Sequence, residues 1–176
     1  MKRALLLLSS LATLLSAASI PVLSQSPSQS FTEDALAGFT YRAIGPYRAG
    51  SWVSDIAVPE APQKSHLYTF YVAVRYGGVW KTTNNGTTFQ PVFDGQDVTG
   101  IGCLAIAPSN ENIVWVGTGD ASSVRVAYPG DGVYKSIDAG KTWQRLGLRE
   151  TQHIGRIVVH PTNPDIVYVA AMGRLW

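Results

Sequence analysis

One octet occurs twice in the chain, and it constrains the fold more than any other feature. Its second copy is Ser-Ile-Asp-Ala-Gly-Lys-Thr-Trp at positions 136–143, and its first is Thr-Thr-Asn-Asn-Gly-Thr-Thr-Phe at positions 82–89, 54 residues earlier. Asp138 can accept hydrogen bonds from nearby backbone N–H groups, and Gly140 can adopt the positive φ of a tight reversal. The octet therefore predicts a β-hairpin turn, and its recurrence predicts a structural repeat.

A longer module surrounds each octet. It begins with a short apolar run that stops at a proline, Pro59, Pro108 or Pro161, as a strand entering a loop does. A second apolar run and the two arms of the octet hairpin follow, so each unit of roughly fifty residues has four strands. We predict an all-β fold, a partial β-propeller of about two and a half four-stranded blades. Blade one covers about residues 50–94, blade two about 101–147, and a partial blade three 154–176.

In blade one, the second strand is expected at residues 67–74 and the fourth at residues 88–93.

Aromatic residues occupy matched positions on the predicted strands: Trp80, Trp115, Tyr134, Trp143 and Tyr168. Packing between blades is the expected role of these aromatic residues, in preference to stacking on a ligand.

The octet pattern, Ser/Thr-x-Asp/Asn-x-Gly-x-Thr-Trp/Phe, resembles the Asp-box of the BNR-repeat families, which include sialidases, sortilin-type receptors and xyloglucan-cleaving glycoside hydrolases. The runs at 71–82, 114–120, 130–143 and 153–170 resemble secreted bacterial proteins described as sortilin-like or glycosyl-hydrolase-like. The resemblance implies a β-propeller whose boxes are structural hairpins at the rim, away from any active site. The box positions are Thr82, Asn84, Gly86, Phe89, Ser136, Asp138, Gly140 and Trp143.

The start of the chain reads as an export signal. Lys2 and Arg3 precede an apolar run over residues 4–15 and a group of small residues, which is the pattern of a secretory signal peptide. We expect a signal peptide at 1–24, an N-terminal tail at 25–44 and an incomplete propeller at 45–176, with no transmembrane anchor in the chain. The expected location is secreted or periplasmic. Because closed propellers have 4 to 8 blades, further blades of a longer protein are an expected partner.

Composition excludes several function classes. Once Lys2 and Arg3 are removed, 12 basic residues face 12 acidic ones, and no basic cluster remains to bind nucleic acid. The single cysteine, Cys103, lies in an apolar run and is expected to be buried and inert. The three histidines lack the spacing of metal ligands, so neither a metal site nor a cofactor is predicted.

Strand parity assigns the loops to two faces of the propeller. Connections in an up-and-down blade alternate between faces, so the octet turns share one face and the second-to-third connections share the other. The second face, which we call the loop-rich face, carries residues 75–77 and the long loop 118–131. A blade-specific insertion is a candidate binding feature. The candidate ligand contacts are Arg75, Tyr76, Asp120, Arg125, Tyr128 and Asp131.

Each charged candidate also has a structural interpretation. Arg125 could bind a ligand, or it could pair with Asp120 or Asp131 and order the loop. Arg75 could bind an anion, or it could cap a neighbouring carboxylate. Both alternatives stay open on the sequence alone.

The resemblance to glycosidases fails at one informative position. The matching motif of the xyloglucan-cleaving enzymes is a catalytic Asp, then any one residue, then Gly-Gly. In this chain Arg75 stands at the position of that Asp, and Tyr76 and Gly77 follow it. A cation cannot act as general acid or base in a two-carboxylate mechanism. The leading hypothesis is therefore a non-catalytic propeller that binds a protein, peptide or carbohydrate. The alternative is a glycoside hydrolase, xyloglucanase-like or sialidase-like, that uses Asp120 or Asp131 and whose catalytic set is completed by further blades.

Overall fold

The computed structural model describes residues 52–122 and 127–174 as an almost purely β structure. Within these residues no helix is long and apolar enough to cross a membrane. Two short 3-10 turns occur, at Lys64–His66 and Arg149–Thr151. The strands are β1 (Val53–Ala57), β2 (Phe70–Val74), β3 (Gly78–Thr82), β4 (Gln90–Pro91), β5 (Ile101–Ala107), β6 (Asn110–Thr118), β7 (Val133–Ser136), β8 (Gln144–Gly147), β9 (Ile154–Val159) and β10 (Val167–Ala171).

The strands form three separate antiparallel sheets. Strands β1 to β4 make one four-stranded sheet, β5 to β8 a second, and β9 with β10 a two-stranded third. The first strands lie side by side, β1 against β5 and β5 against β9. The carboxylate Oδ2 of Asp55 accepts a hydrogen bond from the Leu104 N–H across the first gap, at 2.9 Å. The predicted all-β fold of a partial β-propeller is confirmed.

Two strands of blade one are shorter than predicted. Strand β2 begins at Phe70 because the 3-10 turn precedes it, with the Thr69 N–H bonded to the His66 carbonyl at 2.9 Å. Strand β4 is only Gln90–Pro91, not residues 88–93. The Thr88 N–H is taken by the Asn84 side chain, which keeps Thr88 in the turn.

The two octets form matching hairpins. The Ser136 hydroxyl accepts a hydrogen bond from the Gly140 N–H at 2.8 Å, and the Thr82 hydroxyl accepts one from Gly86 at 2.9 Å. Both glycines have a φ of +85°, the left-handed backbone expected of them. Ala139 has a φ of +60°, so the residue before the glycine shares the left-handed conformation.

The third octet position supplies most of the turn's hydrogen bonds. Asp138 accepts from the Lys141 N–H at 3.0 Å, from the Thr142 N–H at 2.9 Å and from the Thr142 hydroxyl at 2.6 Å. These bonds, led by that from the Thr142 hydroxyl, lower the pKa of Asp138 to about 2. In the first octet Asn84 takes the same place and accepts from the Thr88 N–H at 2.9 Å.

The second octet hairpin also joins blade two to blade one. The Ala139 carbonyl accepts hydrogen bonds from the Tyr71 hydroxyl at 3.0 Å and from the Lys81 ammonium at 2.8 Å. The Trp143 indole donates to the Val92 carbonyl at 2.6 Å. Tyr71 is fully buried, and burial raises its pKa well above the usual value. The octet therefore fixes the position of one blade against the next.

The apolar core lies between the sheets. Aromatic packing dominates the first gap, where Phe93 meets Tyr134 and Trp143 edge to face. Cys103 lies in the second gap, and burial, with a smaller contribution from Asp55, raises its pKa to about 12. Tyr168 is 67% exposed, and its expected packing between blades stays a prediction because no further sheet lies beside β10 among the described residues.

Candidate functional site

A buried ion pair links the two blades on the loop-rich face. The Arg75 Nε lies 3.2 Å from Asp120 Oδ2, and both side chains are almost completely buried. The Tyr76 hydroxyl donates to the same oxygen at 3.2 Å. The other oxygen, Oδ1, accepts from the Ser122 N–H at 3.0 Å and from the Ser122 hydroxyl. Both Asp120 oxygens are therefore occupied by groups of this chain.

Aromatic side chains surround this ion pair on the side that faces solvent. The Arg75 guanidinium lies over the Trp52 ring, 4.3 Å from its centroid. Tyr76 packs edge to face on Tyr128, with ring centroids 4.7 Å apart. Trp52 is 62% exposed and Tyr128 is 51% exposed. We call Trp52, Tyr76 and Tyr128 the aromatic cluster.

The backbone under the aromatic cluster is closely packed. The Asp120 N–H donates to the Tyr128 carbonyl at 3.0 Å, and the Gly119 N–H donates to the Gly100 carbonyl at 2.7 Å. Gly119 has a φ of +87°, and a Cβ there would lie 1.9 Å from the Gln152 carbonyl oxygen. Only glycine fits this position, so the cluster is supported by a rigid base.

Asp131 lies in a second polar cluster, at the start of β7. Its Oδ2 accepts a hydrogen bond from the Tyr134 hydroxyl at 2.7 Å and from Arg145 at 2.9 Å. Its backbone N–H donates to the Thr118 hydroxyl at 2.9 Å. Burial, and then the bond to Asp131, raise the pKa of Tyr134 to about 12. This cluster holds the β6–β7 connection and the hairpin arm together.

The structure brings some of the sequence-predicted residues together and separates others. Arg75, Tyr76, Asp120 and Tyr128 form one group across two blades. Asp131 belongs to the second cluster, and Arg125 lies outside the described residues.

Asp120 pairs with Arg75, so Arg75 caps a neighbouring carboxylate, which is one of the two alternatives left open on the sequence. Asp131 pairs with Arg145, a pairing not considered on the sequence. Sequence reasoning missed Trp52 and Arg145. The pairing of the two hairpin arms could have indicated Arg145, because Arg145 stands opposite Tyr134 in the hairpin.

Solvent reaches the aromatic cluster but hardly reaches the Asp120 carboxylate. Among residues 52–122 and 127–174, no three His, Cys, Asp or Glu side chains gather as metal ligands. Asp120 is 1% exposed and is bonded by a cation and two hydroxyls. The groups that solvent reaches are the faces of Trp52 and Tyr128, which can stack on an apolar or sugar surface.

Comparisons with known proteins agree with the fold. Neither a family model nor a curated protein matches the sequence. Among solved structures, an ancestral GH74 enzyme is 22% identical with a TM-score of 0.50, over 66% of this chain and 16% of its own. The GH74 xyloglucanase from Xanthomonas campestris is 17% identical with a TM-score of 0.47, over 67% of this chain and 18% of its own. YCF48 from Cyanidioschyzon merolae is 22% identical with a TM-score of 0.44, over 68% and 35%.

These similarities define a class and no more. GH74 enzymes are β-propeller proteins, and the described residues have the sheet arrangement of a β-propeller segment. The chain spans less than a fifth of the length of the GH74 enzymes it matches. At this level of identity the likeness concerns the fold alone.

Proposed function

We propose that the chain is part of an exported BNR-type β-propeller that binds a protein, peptide or carbohydrate ligand on its loop-rich face without catalysis. The observation that carries the proposal is the aromatic cluster, built from two blades over the buried Arg75–Asp120 pair. Exposed aromatic rings at a rigid site contribute contact area at a low cost in conformational entropy. Such an arrangement suits recognition of a ligand by its surface.

The state of the two candidate carboxylates favours binding over hydrolysis. A general acid or nucleophile must reach the substrate, within roughly 3 Å of the atom on which it acts. Asp120 is buried, with both oxygens bonded, and Asp131 Oδ2 is held by Tyr134 and Arg145. No observation on the described residues favours the glycoside hydrolase alternative.

Export is part of the same proposal and rests on the N-terminal sequence. The Lys-Arg start and the apolar run at residues 4–15 are typical of a signal peptide. Fractionation of cells that produce the protein, with N-terminal sequencing of the mature form, tests it. Full-length protein retained in the cytoplasm would contradict the proposal.

The binding test uses the exposed rings. Trp52→Ala and Tyr128→Ala should each weaken ligand binding on a glycan array or in a pull-down by about fivefold or more, since aromatic anchors that become buried on binding contribute about 1–3 kcal/mol. Tyr68→Ala is the matched control, because Tyr68 is 60% exposed and lies next to the first octet turn, on the other face. Equal binding by all three variants would remove the proposed site.

A second arm separates binding from catalysis. Asp120→Asn and Asp131→Asn are assayed against β-glucans and sialosides in the longest form of the protein that contains this chain. We expect no turnover that depends on either carboxylate. Hydrolysis that is lost in Asp120→Asn would support the enzyme and overturn the proposal.

A further inference from the structure

The aromatic cluster presents hydrogen-bond donors beside its ring faces. The Nε of Arg75 is the atom that pairs with Asp120. Among the described residues, no acceptor is bonded to the terminal Nη groups of Arg75 or to the indole N–H of Trp52. Neither residue has a nitrogen that is both buried and unpartnered, so solvent reaches these N–H groups. A ligand on the cluster can therefore be bonded by two donors of different kinds.

The acceptors around the same rings are already used. Both Asp120 oxygens accept hydrogen bonds from side chains of this chain. The Trp52 carbonyl accepts from the Arg75 N–H at 2.9 Å, and the Tyr128 carbonyl accepts from the Asp120 N–H at 3.0 Å. The Gly77 carbonyl accepts from an indole N–H at 2.8 Å. The cluster thus offers donors and apolar ring faces, while its carboxylate and carbonyl oxygens are occupied.

The charge of the site is balanced. Arg75 and Asp120 form a buried pair with no net charge. An anion that approached the guanidinium would also meet the Asp120 carboxylate, in surroundings where solvent screens their repulsion poorly. A neutral acceptor, such as an amide carbonyl, is therefore favoured over a carboxylate or a phosphate.

The spacing of the rings suits an extended peptide. The central carbon of the Arg75 guanidinium lies 4.3 Å from the Trp52 ring centroid and 5.7 Å from the Tyr76 ring centroid. The Trp52 and Tyr76 rings are therefore within about 10 Å of each other, and one turn of a polyproline II helix rises roughly 9 Å. Tyr128 adds a further ring 4.7 Å from Tyr76. Side chains on one face of such a helix can contact the cluster at successive turns.

We propose that the aromatic cluster binds a proline-rich peptide in the polyproline II conformation, an inference that rests on the proposed binding function and names its ligand class. Proline rings pack on Trp52 and Tyr128, and peptide carbonyls accept from the Trp52 indole and the Arg75 Nη groups. Proline has no backbone N–H, so the peptide brings no donor that would need one of the occupied acceptors. The hydroxyls of a sugar, or the N–H groups of other peptides, would lose their water partners there without replacement.

The test titrates the full chain with decaproline and follows the indole N–H signals by NMR. The Trp52 signal should shift saturably, with a Kd of about 1 mM or tighter. The indole signals of Trp80 and Trp143, which are bonded to carbonyls, should not move. Tyr128→Ala should weaken binding about fivefold or more, and Tyr68→Ala, on the other face, should leave it unchanged.

A second variant isolates the donor. Trp52→Phe keeps an aromatic ring at an exposed position and removes only the indole N–H, so decaproline binding, followed here by the Tyr128 ring signals, should weaken about threefold or more. A peptide of five Gly-Ser pairs, which has the same length and carries N–H groups, is the matched control ligand and should bind about tenfold more weakly or less. Equal affinity of Trp52→Phe and the parent chain would overturn the role of the donor.

The outcomes separate this inference from the proposed function. Absence of a saturable Trp52 shift with millimolar decaproline, or equal binding of the Gly-Ser peptide, would overturn the proline-rich ligand class. If another ligand from the glycan array or the pull-down still depends on Trp52 and Tyr128, the proposed function stands without it. If no ligand depends on either ring, both fail.

Discussion

Replacement of Asp138 tests whether the octet stabilises the fold through its acceptor at the third position. Asp138→Ala removes the acceptor of the Lys141 and Thr142 N–H groups and of the Thr142 hydroxyl, whose bonds measure 3.0, 2.9 and 2.6 Å. It also removes the contact with the Ser136 hydroxyl at 2.8 Å. The turn would keep its glycine but lose the groups that close it.

The expected loss follows from the pKa and the hydrogen bonds. The pKa of Asp138 falls from its ordinary 3.8 to about 2. At 1.36 kcal/mol per unit this is roughly 2 kcal/mol of preference for the ionised form, and solvent screening at this partly exposed turn reduces it to about 1 kcal/mol. The hydrogen bonds that even a neutral acceptor at this position would accept are also lost in the alanine variant, and they add about 1–2 kcal/mol to the loss of stability. We expect Asp138→Ala to lower the free energy of unfolding by about 2–3 kcal/mol.

The chain contains the matched comparison. Asn84 occupies the same place in the first octet and accepts from the Thr88 N–H at 2.9 Å, so Asp138→Asn should keep the geometry and cost about 1 kcal/mol. Ile137→Ala, at a residue 69% exposed, should cost less than about 0.5 kcal/mol. The assay is urea unfolding followed by tryptophan fluorescence. A loss below 0.5 kcal/mol for Asp138→Ala, or equal losses for the Ala and Asn variants, would refute this reasoning.

Three further results are expected. Because the folded pKa of Asp138 lies below the unfolded value, its contribution to stability is present above pH 3.8 and disappears as the pH falls toward about 2. Urea unfolding across this range should show a free energy of unfolding that falls with falling pH, and Asp138→Asn should flatten that slope. A slope that Asp138→Asn leaves unchanged would contradict the assignment. Gly119→Ala should lower the free energy of unfolding by about 3 kcal/mol or more in the same assay, since its Cβ would lie 1.9 Å from the Gln152 carbonyl oxygen. Gly95→Ala is the control and should be nearly neutral, because a Cβ there meets nothing within 4 Å. Comparable losses for the two variants would argue against the close packing under the aromatic cluster. Cys103, whose pKa burial raises to about 12, should react with a thiol reagent only as fast as the protein opens, and rapid labelling of the folded chain would show that it is accessible.

Local chemistry explains which parts of the fold could be predicted from the sequence. Asp138 and Gly140 act on neighbours within four residues, so the turn could be inferred without knowing the rest of the chain. The alternation of connections then placed Arg75 and Asp120 on one face, and the structure pairs them. Both inferences use rules that depend only on short spacing and strand direction.

The remaining features depend on contacts between distant segments. Trp52 was missed because its role comes from the Arg75 guanidinium above its ring, and the sequence around it has no distinguishing pattern. The short β4 was overpredicted because Asn84 takes the Thr88 N–H that a longer strand would use.

The central claim is that two blades jointly build the loop-rich face, and one NMR measurement tests it most directly. The Tyr76 and Tyr128 rings lie 4.7 Å apart, centroid to centroid, although 52 positions separate them in the chain. The account predicts strong nuclear Overhauser contacts between their ring protons in the folded full chain, lost in urea together with the contact from the Trp143 indole to Val92. A folded chain in which Tyr76 and Tyr128 show no such contact would contradict the map of the loops, and the proposed binding site with it.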